Sequence, residues 1–332
     1  MKIQYINEEY YSLWNEFVDK SPQGFIWNYS WWVNILTDGD FKICAIFDDD
    51  NIIVAGIILP FFSTKKIRNT ILTQSQGILF EDFNLRNNMR LQKQLTTQKE
   101  YSNLIFDFII KDIKSFSIHF HYMYQYWLPL YWKKCTQTTR YTYIIDYSNY
   151  NPIEEFKRFS KGHKWILNKV ENKSDLKVEE TSDIEEYLAE SDKTYLKQGV
   201  KKPYSNDTLK KLHNEIQKRG CGIIFKIVDS NGVVHGIEYH LFTKKESYYW
   251  LGASDINLRN SGGHTYLTWY AIQYFSTKVK RFNFGGSMIE AVEKNFRNFS
   301  ANPKQYFLIN YYKQPLLQDF KNLIKNVIYK IK

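Results

Sequence analysis

Twice along this chain, two apolar, β-branched runs lie on either side of a short polar turn. Phe41–Phe47 and Ile52–Phe61 flank Asp48-Asp49-Asp50-Asn51, and Ile223–Val228 and Val233–Phe242 flank Asp229-Ser230-Asn231-Gly232. Each pair predicts a β-hairpin. The Asn-Gly step is the stronger signal, because these residues tolerate the positive φ that tight turns demand. Helical spacing brackets both hairpins. Before the first come Glu8–Val18, with Tyr11, Trp14 and Val18 on one side, and Trp27–Leu36. After it come a helical stretch over Leu85–Lys114 and strands over Ser117–Tyr124 and Tyr141–Asp146.

The second half repeats this order. A single basic helix is expected over Glu154–Asn172, then helices over Asp183–Leu196 and Ser205–Arg219, the latter capped by Ser205 or Asn206 and closed by Gly220. Beyond the hairpin follow a strand at Ser247–Leu251, a helix at His264–Lys278, and strands at Arg281–Phe284 and Tyr306–Tyr311. Helices and strands mixed in this way, roughly twice over, predict an α/β (α+β) chain with two sheets flanked by helices. At 332 residues the chain fits two domains of ordinary size. The Ser148-Asn149-Tyr150-Asn151-Pro152 cluster places the boundary, giving domains 1–147 and 148–332.

Charge and cysteine usage narrow the function classes. The formal charge of +10 favours a polyanionic partner such as tRNA, a nucleotide- or lipid-linked precursor, or an anionic membrane face. No nucleic-acid motif accompanies it. Cys44, Cys135 and Cys221 lie far apart, which speaks against a disulfide framework or a zinc site. His119 and His121 alternate on an expected strand without a third ligand nearby, so no metal is expected. The N-terminus lacks the apolar core of a signal peptide and the longest apolar run is too short to span a bilayer, so a cytoplasmic protein is expected. Pro315–Lys332 gathers Leu316, Phe320, Leu323, Ile324, Val327, Ile328 and Ile331 on one side. This helix is expected to pack on its own domain or to rest on the inner membrane face.

Arg259-Asn260-Ser261-Gly262-Gly263-His264 opens a helix, where backbone N–H groups and glycines can cradle phosphate. Phe282-Asn283-Phe284-Gly285-Gly286-Ser287-Met288 reads as a short strand entering a glycine turn. Together with Trp127–Lys133, Lys161-Gly162-His163-Lys164-Trp165-Ile166, Gln198-Gly199, Pro203-Tyr204 and Tyr248-Tyr249-Trp250-Leu251-Gly252, these stretches resemble the acyl-CoA N-acyltransferase (GNAT) fold. More narrowly, their order and spacing resemble the FemAB-like proteins, which carry two tandem GNAT domains and occur in envelope-polysaccharide loci. Relatives commonly carry Asp at the position of Asn283, an acidic residue at Gly285, and Arg at His163 or Lys164.

The resemblance implies two tandem GNAT-like domains, each a mixed, mostly antiparallel sheet. It implies direct attack of an amine on an acyl donor, with no covalent enzyme nucleophile. The second domain would bind acyl-CoA, such as acetyl-CoA, through Arg259, Ser261, Gly262, Gly263 and His264. Glu238 and His240, alternating along Val233–Phe242, are the candidates for general base, and Tyr249 for an oxyanion or thiol hydrogen bond. A strand with one polar, solvent-facing side is the competing reading. Glu290 and Glu293 are further carboxylates near the glycine turn. Arg158, Lys161, Lys164 and Lys169, with Tyr204, are the candidates for holding a small-molecule or nucleotide- or lipid-linked amino-sugar acceptor in cell-envelope synthesis, the first domain shaping the groove. The chain lacks the long helical arm of peptidoglycan aminoacyltransferases, which favours a CoA thioester over aminoacyl-tRNA. Two alternatives stand beside it: tRNA-dependent aminoacyl transfer, and a non-catalytic binding protein.

Overall fold

The computed structural model describes residues 1–85 and 89–314. The amphipathic segment Pro315–Lys332 lies outside the described residues. The compact units are residues 1–139 together with the chain from Tyr306, and residues 140–305. The Ser148–Pro152 cluster therefore falls inside the second unit rather than between the two.

Unit 1 begins with β1 (Lys2–Ile6), α1 (Tyr11–Lys20) and α2 (Ser30–Thr37), followed by β2 (Phe41–Phe47) and β3 (Ile53–Pro60). The expected hairpin is there, β2 pairing antiparallel with β3. β1 adds to β2, and a short β5 adds to β3, after β4 (Lys66–Arg68); β5 is Leu79–Phe80. Every residue of β3 is buried, because helices cover it, and Gly56 is needed where Trp14 of α1 crosses. A Cβ there would stand 2.6 Å from the indole. α3 (Leu91–Ile109) buries Ile105, Phe106 and Ile109 against this core, and β6 (Ser115–His119) and α4 (Leu128–Trp132) follow. β6 ends at His119. The chain then turns, with the Tyr124 N–H donating to the His121 carbonyl, so the two histidines do not share a strand face as expected.

Unit 2 takes the end of β7 (Thr136–Asp146), then α5 (Pro152–Arg158), α6 (Lys161–Lys173), β8 (Lys177–Thr181), α7 (Ile184–Gln198) and α8 (Asn206–Arg219). The expected single helix over Glu154–Asn172 is two helices. Phe159 is extended and plugs the core, and Ser160 restarts the chain as a cap, its hydroxyl accepting from the His163 N–H at 3.2 Å. Both caps of α8 are as expected, Ser205 accepting from Thr208 N–H and Gly220 taking φ +59°. β9 (Gly222–Val228), β10 (Val234–Phe242) and β11 (Ser247–Ala253) form an antiparallel meander. After a 3₁₀ turn over Ile256–Ser261 come α9 (Gly263–Phe275), β12 (Arg281–Asn283) and α10 (Glu290–Asn298). The strands run β7-β12-β11-β10-β9-β8 across the unit, with β11 and β12 parallel and the other pairs antiparallel. The core between this sheet and its helices holds Leu267, Ile272 and Phe275 of α9 with Leu167 and Val170 of α6. Each fully buried side chain of this kind contributes about 1.5–3 kcal/mol. The last strand, β13 (Asn302–Tyr312), pairs antiparallel with β6 from Leu308 to Tyr312.

Among the described residues no helix is long and apolar enough to cross a membrane. On the face of β10 away from α9, His213 of α8 is buried between the Tyr239 hydroxyl (2.9 Å) and the Ser182 carbonyl (3.1 Å). A carbonyl only accepts, so Nε2 carries the proton and Nδ1 accepts from Tyr239. Burial holds the His213 pKa below its usual value. The imidazole is thus neutral in the fold and charges more readily in the unfolded chain. Its contribution is complete above about pH 6.5 and is lost as pH falls through the folded value. Stability measured by denaturant unfolding is expected to decline below about pH 6.5, and His213→Asn to flatten that slope by up to about 1.4 kcal/mol per pH unit.

Candidate active site

The chemistry of unit 2 gathers where β10 and β11 meet the start of α9. Glu238 and His240 alternate along β10 and neither has exposed surface. Glu238 Oε2 accepts from His240 Nε2 at 2.9 Å. Its Oε1 accepts from the Thr268 hydroxyl of α9 and lies 3.6 Å from His264 Nε2. That same imidazole nitrogen is 3.1 Å from the Tyr249 hydroxyl of β11. Burial, then the nearby Glu238 carboxylate, hold the Tyr249 pKa well above its usual value. The phenol is therefore protonated at neutral pH and shares a hydrogen bond with His264 Nε2. The His264 side chain is 31% exposed. It is the one ionisable side chain of His240, Glu238 and His264 open to solvent.

The backbone makes room for these groups. A Cβ on Gly236 would stand 3.2 Å from the His264 ring, and one on Gly252 would sit 1.8 Å from the Tyr249 hydroxyl. The β10–β11 register slips by one residue, Tyr239 facing Leu251 and His240 facing Tyr249. Such bulges re-aim side chains, and here Tyr249 is brought edge-on to His240, ring centroids 5.5 Å apart. Thr268, one helical turn beyond His264, escapes motif reading; its i, i+4 spacing from His264 on a helix start was the available signal.

The expected phosphate loop has a different internal logic. Gly262 takes φ +82° and packs under α6, where a Cβ would meet Ile166 at 2.6 Å. Gly263 is buried, with His235 3.0 Å from its would-be Cβ. Both glycines thus serve close packing. Arg259 is exposed, Ser261 accepts from the Gly263 N–H, and the first turn of α9 holds no acidic residue. His264 faces Glu238 and Tyr249 in the buried cluster.

The expected acceptor residues do not gather. Arg158 sits on α5 and pairs with Glu155, whereas Lys161, Lys164 and Lys169 sit on α6. Lys164 donates to the Lys157 carbonyl and Lys169 to the Asn260 carbonyl at 3.0 Å, with its ammonium over the exposed Trp165 ring. Of this set only Lys169 reaches the loop before α9. Tyr204 is buried, its hydroxyl 3.5 Å from Ser191. Glu293 is engaged by the Tyr143 hydroxyl and by Arg297. Burial pushes the Cys135 thiol up to about 12 and the Cys221 thiol up to about 11, so neither offers a thiolate.

Beside the cluster the sheet opens. β12 pairs with β11 only at Ser247↔Phe282 and Tyr248↔Asn283, while β11 continues to Ala253. Asn283, fully buried, ends β12 by donating its amide to Glu246 Oε1 at 2.7 Å while its carbonyl accepts from the Gly285 N–H at 2.9 Å and from Thr142. Gly285 and Gly286 then turn the chain at φ +77° and +71°.

Residues 167–294 match the model of the acetyltransferase (GNAT) domain family, a stretch that contains the whole Glu238–His264–Tyr249 cluster. The chain has the fold of a FemAB-like tandem GNAT protein. It is similar to the crystal structure of FemX at 11% identity, over 96% of this chain and 99% of that one, with a TM-score of 0.69. It is also similar to a tandem GNAT protein from the clavulanic acid biosynthesis pathway (9% identity, 95% and 99% covered, TM-score 0.54). A third likeness is to L-PGS from Bacillus licheniformis (14% identity, 96% of each chain, TM-score 0.51). No curated protein matches the sequence.

The Asn283 contacts suit an amide rather than a carboxylate at this position. With Glu246 buried 2.7 Å away, an aspartate would set two carboxylates side by side. One carboxyl pKa would then be raised in the fold, so the loss of stability would grow as pH rises above about 4. Asn283→Asp is expected to cost about 3 kcal/mol or more at pH 7 and less at pH 4. Glu246→Gln in the same chain is expected to restore most of it, read by chemical denaturation across pH. Equal losses at both pH values would refute the carboxylate clash.

Proposed function

We propose that this chain is an N-acyltransferase that moves an acyl group from a CoA thioester to an amino group of a cell-envelope or polysaccharide precursor, in the cytoplasm. The observation that supports this best is the buried Glu238 behind the partly exposed His264, with the Tyr249 hydroxyl 3.1 Å from the imidazole, at the start of α9 and beside the open edge of β11. An unpaired strand edge offers N–H and C=O groups to an extended, amide-bearing arm. The helix start and the exposed Arg259 suit the donor's phosphates. Arg259, Ser261 and the His264 N–H are the proposed donor contacts, Gly262 and Gly263 shaping the turn that presents them, and Lys169 is the proposed acceptor-side cation beside the loop.

In the reaction a C–N bond forms between the neutral amine and the thioester carbonyl carbon, and the C–S bond breaks. The amine proton passes to the Tyr249 oxygen as that hydroxyl gives its own proton to His264 Nε2. The imidazolium then faces the Glu238 carboxylate 3.6 Å away, which stabilises it. The same relay run backwards protonates the departing thiolate. His240 and Thr268 hold Glu238 in place.

A second reading, transfer from aminoacyl-tRNA, is favoured by the charge, since residues 140–305 alone hold 26 Lys and Arg against 20 Asp and Glu. Thermal unfolding separates the two. Acetyl-CoA at about 100 times its dissociation constant should stabilise the chain by about 2.7 kcal/mol. His264→Gln and Tyr249→Phe should keep that shift and slow acyl transfer by about 10²-fold or more. No shift with acetyl-CoA, together with a salt-sensitive shift with tRNA, would replace the CoA donor by the second reading. No response to either would leave a binding protein.

A further inference from the structure

Three strand ends of unit 1 converge on one point. β4 runs parallel to β6 with Lys66 beside Ser115, and β13 runs antiparallel to β6 with Tyr312 beside the same Ser115. The residues just outside these pairs are therefore neighbours, and they are lysines. Lys65 and Lys66 come from the start of β4, Lys111 and Lys114 from the turn before β6, and Lys313 from the end of β13. Together they line an open cavity of about 620 Å³. The backbone ties its rim shut, Lys114 N–H donating to the Lys65 carbonyl and Lys313 N–H to the Lys114 carbonyl.

The cavity has one carboxylate, that of Asp112, which accepts from the Tyr5 hydroxyl at 2.8 Å. None of the five lysines is in an ion pair with a described residue. Unit 1 as a whole, residues 1–139 and 306–332, carries nineteen Lys and Arg and fifteen Asp and Glu, and five of those nineteen meet at this cavity. Five ammonium groups around one concavity repel each other, and a bound anion relieves that repulsion. A single phosphate is small for the space, which falls in the range of ligand pockets.

We propose that this cavity binds an anion bearing two or more phosphate groups. The site is independent of the transferase centre in unit 2. Ammonium groups carried at three converging strand ends suit such a ligand because each can meet a different phosphate oxygen, as point charges on flexible stems. The phosphates can come from a soluble diphosphate or from the headgroups of an anionic lipid surface.

The test titrates inorganic pyrophosphate into the full chain by calorimetry at low and high salt. One variant combines Lys66→Gln, Lys114→Gln and Lys313→Gln. A charge-matched control combines Lys2→Gln, Lys20→Gln and Lys93→Gln elsewhere in unit 1. All six side chains are exposed, so unfolding temperatures should stay close to wild type. The expected result is salt-sensitive binding that the cavity variant weakens about tenfold or more and the control leaves nearly intact. Absent binding, or equal weakening in both variants, overturns the proposal. Co-sedimentation with phosphatidylglycerol–phosphatidylcholine vesicles identifies the source. Retention lost only in the cavity variant supports the site and assigns the phosphates to lipid. Pyrophosphate binding without vesicle retention supports the site and assigns a soluble ligand.

Discussion

A carboxylate with no exposed surface governs the architecture of unit 2. Removing Glu238 from water costs several kcal/mol unless donors replace its hydration. Those donors come from two elements, His240 on its own strand and Thr268 on α9, with the His264 imidazole of α9 3.6 Å away, so the carboxylate ties α9 to β10. Gly236 then becomes necessary, because a side chain there would displace His264. Gly252 and the slipped register of β11 follow for Tyr249. A packed apolar pair in place of Glu238 and His240 would hold the sheet at least as well. The ionisable pair thus points to chemistry rather than to stability.

Regular elements were legible where local signals and burial agree. The Asn231-Gly232 turn and the caps of α8 were readable because each satisfies backbone groups within a few residues. β8 was not, since an edge strand of sequence Lys-Val-Glu-Glu-Thr alternates little and is held by pairing with β9 alone. The break between α5 and α6 was missed for a related reason. Its charge pattern runs through Phe159 without interruption, and only the tertiary core gives that ring a reason to leave the helical path. β1 was likewise invisible, because its five residues need β2 to define them.

The site was legible in part. Glu238, His240 and Tyr249 could be placed on adjacent strands from their alternation, but that both Glu238 and His240 are sealed from solvent depends on α9. His264 was read as the last residue of a phosphate loop, since glycines before a helix suggest anion binding. In the fold those glycines pack against Ile166 of α6 and His235 of β10, contacts that join residues distant in sequence. The basic residues misled most. Helical spacing suggested one strip from Arg158 to Lys169, yet a strip requires one helix, and the chain has two.

Asn283 shows how the fold can call for an amide where the resemblance suggests a carboxylate. Read alone, the missing carboxylate suggests lost chemistry. In the fold its amide bridges Glu246, Thr142 and the Gly285 N–H, which ends β12 two residues before the glycine turn. A carboxylate there could not donate to Glu246, whereas Arg281 already supplies that acid with its cation. The negative charge at this point is that of Glu246, just before β11, and β12 ends at Asn283 where the β11 edge opens. The geometry beside Tyr249 therefore rests on the donor–acceptor pattern at residue 283, which a neutral amide supplies and a carboxylate beside Glu246 would not.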